Sequence, residues 1–115
     1  MRYKSRWEHA IPEVIQNTTF DNSLIITENN DIISVDEFDN VVMYMGHLLH
    51  EPSITASGVG CTSASTGRWS FKFNIDQTLN NFQYAYYSVL AKTGEDKYEV
   101  DNGIVYVKTV IGGDL

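Results

Sequence analysis

Cysteine occurs once in the 115 residues, at Cys61, so no intrachain disulfide and no four-cysteine zinc site can form. Cations are scarce. Lys and Arg total 8 against 15 Asp and Glu, a formal net charge of −7. A general nucleic-acid binder must neutralise phosphates with Lys and Arg, so that class is excluded. Docking on an anionic membrane is disfavoured for the same reason, and no membrane partner is expected. Long apolar runs are missing too: no window approaches about 18 such residues, the length of a spanning helix. The basic start, Met1 to Trp7, is interrupted by Glu8, His9, Pro12 and Glu13, so a soluble chain without a cleavable signal is expected. A helical period is faint and confined to residues 7–15, where Pro12 disturbs it.

What is present is the material of one globular domain. Hydrophobic residues make up 43% and aromatics 12%, enough for a core and unlike a disordered tail. The clearest pattern is Arg68-Trp69-Ser70-Phe71-Lys72-Phe73, with aromatics on one face and polar residues on the other. Such period-two alternation marks a half-buried strand. Residues 82–90 are tyrosine-rich and apolar on both faces, which suits a central strand; Tyr84, Tyr86 and Leu90 share one face and are assigned to the core. Further strands are read at 23–27, 32–35, 41–46, 97–100 and 104–110, with a short one near 54–56. Turns are read at Glu28-Asn29-Asn30-Asp31, at Thr93-Gly94-Glu95-Asp96 and, as a second hairpin, at Asp101-Asn102-Gly103. Asp76 caps a single turn before Leu79. About seven short strands with turns every ~8–12 residues argue for a β-sandwich.

The chain from residue 23 to about 110 resembles a family of small immunoglobulin-like domains in tailed-bacteriophage structural proteins. The resemblance rests on an ordered series. Asn30-Asp31-Ile32-Ile33-Ser34-Val35 gives an aspartate-containing turn before an apolar strand, followed by Val41-Val42-Met43-Tyr44-Met45. Then come the glycine-led strand Gly67-Arg68-Trp69-Ser70-Phe71-Lys72-Phe73, the turn Asp76-Gln77-Thr78-Leu79, the Tyr84-Ala85-Tyr86 strand and the closing Gly103-Ile104-Val105-Tyr106-Val107. The resemblance implies an antiparallel immunoglobulin-like sandwich, located in the virion, that assembles with other virion proteins and as a homo-oligomer. Tail, baseplate, fibre and capsid-decoration roles all fit it. No enzyme activity and no cofactor are expected. The expected organisation is an N-terminal arm at 1–22, the sandwich at 23–110 and a flexible tail at 111–115. Its core is expected to hold Trp69, Phe71, Phe73, Tyr84, Val105 and Val107.

Candidate sites are few. Arg2, Tyr3, Lys4, Arg6 and Trp7 form a basic-aromatic arm on an acidic body, suited to docking on a neighbouring acidic subunit; the alternative is an arm folded over its own domain. Deleting residues 1–16 is then expected to abolish incorporation with the fold kept. His47, His50 and Glu51 would share a face on a helix and could ligate a metal, but Gly46 and Pro52 set them in a loop. Asp31, Asp36, Glu37 and Asp39 lack the spacing of a calcium loop and read as a solvated acidic stretch. No cysteine-enzyme or nucleophile-elbow motif surrounds Cys61, Ser63 or Ser65. A glycan platform of Trp7, Tyr84, Tyr86 and Tyr87 is the runner-up function, and it requires an exposed aromatic strip.

Overall fold

A computed structural model describes residues 3–11, 13–48, 51–61, 67–76, 78–80 and 82–109. Among them, ten strands form two five-stranded sheets. The first sheet orders β1 (Lys4–Trp7), β3 (Thr18–Glu28), β8 (Arg68–Ile75) and β7 (Val59–Cys61), with β4 (Asp31–Ile32) beside the end of β3. The second orders β2 (Glu13–Ile15), β10 (Asp96–Lys108), β9 (Gln83–Thr93), β5 (Asn40–Gly46) and β6 (Ile54–Ser57). Every pairing is antiparallel except β2 with β10, which is parallel. The protein is an all-β sandwich.

The strands form where the residues alternate. Trp69 and Phe71 face inward from β8 while Lys72 is exposed, and Phe73 packs at the core's margin. Leu24, Ile26, Phe71 and Ile75 of the first sheet meet Val41, Met43, Met45, Val89, Val105 and Val107 of the second. Each such side chain removed from water contributes about 1.5–3 kcal/mol, which offsets the entropy of ordering the backbone. The turns follow their residues. Asn29 and Asn30 both take positive φ between the paired Glu28 and Asp31, the requirement of a tight hairpin turn. Gly94 takes φ +60 between Thr93 and Asp96. At Gly58 the chain crosses from β6 to β7; a Cβ there would lie 2.9 Å from the Phe71 ring.

Four expectations are corrected. The strand read at 32–35 is cut short: β4 ends at Ile32, and Val35–Glu37 form a single 3-10 turn. The Ser34 hydroxyl caps that turn by accepting from the Asp36 N–H. Among the described residues, ten strands stand where about seven were read. The described part of residues 1–22 is not an arm outside the sandwich. β1 pairs with β3, β2 pairs with β10, and the first part of β3 already pairs with β8. The buried Asn22 amide bonds the His9 backbone at both ends, donating to its carbonyl (2.7 Å) and accepting from its N–H (3.1 Å). β1 and β2 are too short for period-two alternation to stand out in the sequence, which is why they read as an arm. Deleting residues 1–16 would therefore strip an edge from each sheet, so it cannot separate docking from folding.

Asp101-Asn102-Gly103 is not a hairpin turn. β10 runs unbroken from Asp96 to Lys108 with a register shift between Glu99 and Asp101. The reversal is made once, at Gly94. Glycine is needed at position 103 for another reason: a Cβ there would lie 2.7 Å from the Tyr87 ring. The inward face of β9 is also the opposite of the one assigned. Ala85, Val89 and Ala91 are buried, whereas Tyr84 is 66% exposed and does not join the core. Small residues fill the centre because Met43 and Met45 of β5 already occupy it, and the tyrosine hydroxyls stay in water.

Candidate functional site

The outer face of the second sheet is built from three neighbouring strands. Register places Gly46, Tyr86 and Ile104 in one row across β5, β9 and β10. The next row is Tyr44, Ser88 and Asn102. Tyr86 is 40% and Ile104 58% exposed. Toward the start of β9, Tyr84 opposes Tyr106, and their rings meet edge-on at 5.2 Å. Phe82, with φ +59, lies exposed just before β9.

Over the two rows runs an open groove of about 580 Å³, walled by Leu48 and Pro52 on one side and Glu99 and Ile104 on the other. Gly46 leaves the floor low beside Tyr86. It is glycine because the chain bends sharply after β5: a Cβ would lie 2.8 Å from the Glu51 carbonyl oxygen, while the Ser53 N–H bonds the Met45 carbonyl. On the far wall, Asn102 Nδ2 donates to Glu99 Oε1 at 2.6 Å. The register shift of β10 brings these two side chains together. The groove thus combines aromatic surface with a fixed carboxylate–amide pair.

On the inner side of β9, Tyr87 belongs to a different cluster. Its hydroxyl donates to Asp101 Oδ2 at 3.1 Å, and the Trp7 indole N–H donates to the same oxygen. Burial, then the neighbouring Asp101 charge, pushes the Tyr87 hydroxyl up to about 12. Trp7 packs against Phe20 and Phe71 of the first sheet and Tyr87 of the second, so Asp101 ties the two sheets along one side.

The basic-aromatic set is not one surface. Tyr3 is buried against Phe38 and Tyr98, and Trp7 turns inward as described. Lys4 and Arg6 are exposed on the opposite face of β1. Arg2 lies outside the described residues. Alternation along a strand sends Tyr3 and Trp7 one way and the cations the other. Of the metal candidates, His47 spends both ring nitrogens: Nδ1 donates to the Tyr84 carbonyl at 2.9 Å, and the Asn80 N–H donates to Nε2 at 2.7 Å. That leaves no ring lone pair free for an ion. His50 lies outside the described residues, as do Ser63 and Ser65. Asp39 accepts from the Gly94 N–H at 2.7 Å and so secures the β9–β10 turn. Among the described residues no group of three His, Cys, Asp or Glu side chains could hold a metal ion.

Sequence reasoning missed Tyr44, Ser88, Glu99 and Asn102. The available signal was the pair of alanines, Ala85 and Ala91, on the face of β9 opposite its exposed tyrosines.

No family model matches the chain, and no curated protein sequence matches it. One solved structure of similar fold is a DUF4785 family protein from Legionella pneumophila. The likeness has a TM-score of 0.59 at 8% identity, and it covers 94% of this chain and 29% of that one. This chain therefore spans less than a third of that protein's length, and the likeness concerns the fold alone.

Proposed function

We propose that this chain is an immunoglobulin-like structural module of a tailed-bacteriophage virion, non-enzymatic and acting through protein interfaces. Strand order supports the finer fold reading. Counting β1 and β2 as one split first strand, one sheet runs first, second, fifth, fourth. The other holds the third, sixth and seventh side by side, with β6 added at the edge. With the two-residue β4 set aside, that order supports an immunoglobulin-like arrangement. The ordered motifs from Asn30 to Val107 support the virion setting.

The observation that carries an interface role is the uncovered corner where β9 begins. Phe82 and Tyr84 are each about two-thirds exposed, beside Tyr106. Contiguous exposed aromatics on a domain this small mark a contact surface. The occupant is a neighbouring virion subunit, and burying these rings supplies the binding energy.

Mass spectrometry of purified particles, split into head and tail fractions, tests this reading. Peptides of this chain in the head fraction make it a capsid-surface protein; peptides in the tail fraction make it a baseplate, neck or fibre part. Absence from particles overturns the proposal. Tyr84→Ser is expected to lower incorporation with the fold retained.

A further inference from the structure

We propose that the groove over Tyr86 and Ser88 is a binding site for a neutral oligosaccharide. Tyr86 is the stacking surface, and the Glu99–Asn102 pair is the hydroxyl-binding group. The inference rests on the groove itself and does not depend on the virion reading.

The groove has the size of small-ligand sites, which run about 300–1,000 Å³. Its chemistry is divided as a sugar's is. A pyranose ring offers an apolar C–H face and a rim of hydroxyls. Tyr86, 40% exposed and flanked by Ile104, offers the matching apolar face. Glu99 and Asn102 offer the matching rim. Their mutual hydrogen bond uses one carboxylate oxygen and one amide hydrogen. The second carboxylate oxygen, the amide oxygen and the second amide hydrogen remain for a ligand. A vicinal diol can donate to the first two and accept from the third. Because the pair is already held at 2.6 Å, little side-chain freedom is lost on binding. Ser88 and the Tyr44 edge lie in the same row as Asn102, so further polar atoms line the floor.

Charge selects among saccharides. Among the described residues, the lining holds one carboxylate and no Lys, Arg or His, on a chain of net charge −7. Sialylated, uronic or sulfated glycans would set an anion against Glu99 without compensation. An uncharged oligosaccharide meets no such cost.

The test is an array of neutral hexose and N-acetylhexosamine oligosaccharides printed beside sialylated and sulfated ones, probed with the intact purified protein. The retained glycan is then titrated in solution by amide chemical shifts. Retention of neutral glycans is expected, with shifts at residues 44, 86, 88 and 102. Tyr86→Ala and Glu99→Gln should each weaken binding about tenfold, as loss of a stacking face or a charge-assisted hydrogen bond implies. Val59→Ala, exposed on β7 of the other sheet, should leave binding unchanged. Glu99 is exposed, so Glu99→Gln keeps the test sound even where Tyr86→Ala perturbs the fold. Three results overturn the proposal: no neutral glycan retained, preference for sulfated or sialylated glycans, or neutral binding indifferent to Glu99→Gln. A blank array with the chain still present in particles removes the site and leaves the virion reading intact. Retention with the chain absent from particles does the reverse.

Discussion

Tyr86 and Tyr87 are chemically identical neighbours on one strand, and they live on opposite sides of the second sheet. Tyr87 lies under β10, with Asp101 as its acceptor and Gly103 making room for its ring. Tyr86 stands in the outer groove beside Ile104, with Gly46 across from it. Residue type did not choose the side. The inner aromatics are enclosed by rings from both sheets, Trp7, Phe20, Phe71 and Tyr87, and anchored by one carboxylate. Among the described residues, Tyr84 of the outer set meets the cross-strand ring of Tyr106. One cluster holds the sandwich together, and the other stands exposed on the outer face.

The sharpest way to break this comparison is truncation on each side. Trp69 is 6% exposed and packs over β7, so Trp69→Ala should cost about 3–5 kcal/mol in chemical denaturation. Tyr84→Ala should change stability by no more than about 0.5 kcal/mol, as for an ordinary surface site. Equal costs would mean that the inner and outer faces are misassigned.

A smaller effect sharpens the inner side. Asp101→Ala leaves the Trp7 N–H and the Tyr87 hydroxyl without their acceptor, a loss of about 1–3 kcal/mol. Adding Tyr87→Phe removes one of those stranded donors. The double variant should therefore lose less than the two single losses added together. Strict additivity would show that Asp101 does not join the two rings.

The same contact predicts an alkaline signature. The folded chain holds the Tyr87 proton more tightly than the unfolded chain, whose hydroxyl titrates near the ordinary value of 10.0. The stability from this contact is complete below pH 10 and is lost as pH climbs toward about 12, because unfolding then releases the proton. Urea midpoints measured through that window should fall more steeply for the native chain than for Tyr87→Phe. Parallel slopes would place Tyr87 in water.

The difference between the two sides also explains what could be read from the sequence. β8 declares its inner face because aromatic and polar residues alternate without ambiguity from Arg68 to Phe73. The Asn29-Asn30 and Gly94 turns are legible because positive φ restricts the residues allowed. β9 carries bulk on both faces, so the alanines Ala85 and Ala91 are the one faint sign of direction in its pattern, and its pairing with β5 and β10 supplies the rest. Asn102-Gly103 has turn chemistry, yet the glycine answers a ring lying across the strand, a contact between residues 16 positions apart. The groove was illegible for the same reason. Its polar pair depends on the register shift between Glu99 and Asp101, which no local pattern announces.

The smallest expected effect concerns the outer corner. Tyr84 and Tyr106 face each other across β9 and β10, with ring centroids 5.2 Å apart and planes at 65°. Such a cross-strand pair, half in water, should couple by only about 0.2–1 kcal/mol in a double-mutant cycle of Tyr84→Ala and Tyr106→Ala. The isolated protein tests the pair alone. If burial in a partner is the purpose of this corner, the same cycle measured on incorporation into particles should show a larger coupling than the cycle measured on stability, because both rings then leave water together. Equal couplings in the two measurements would mean that Tyr84 and Tyr106 stay exposed after assembly, and that the contact lies elsewhere on the sandwich.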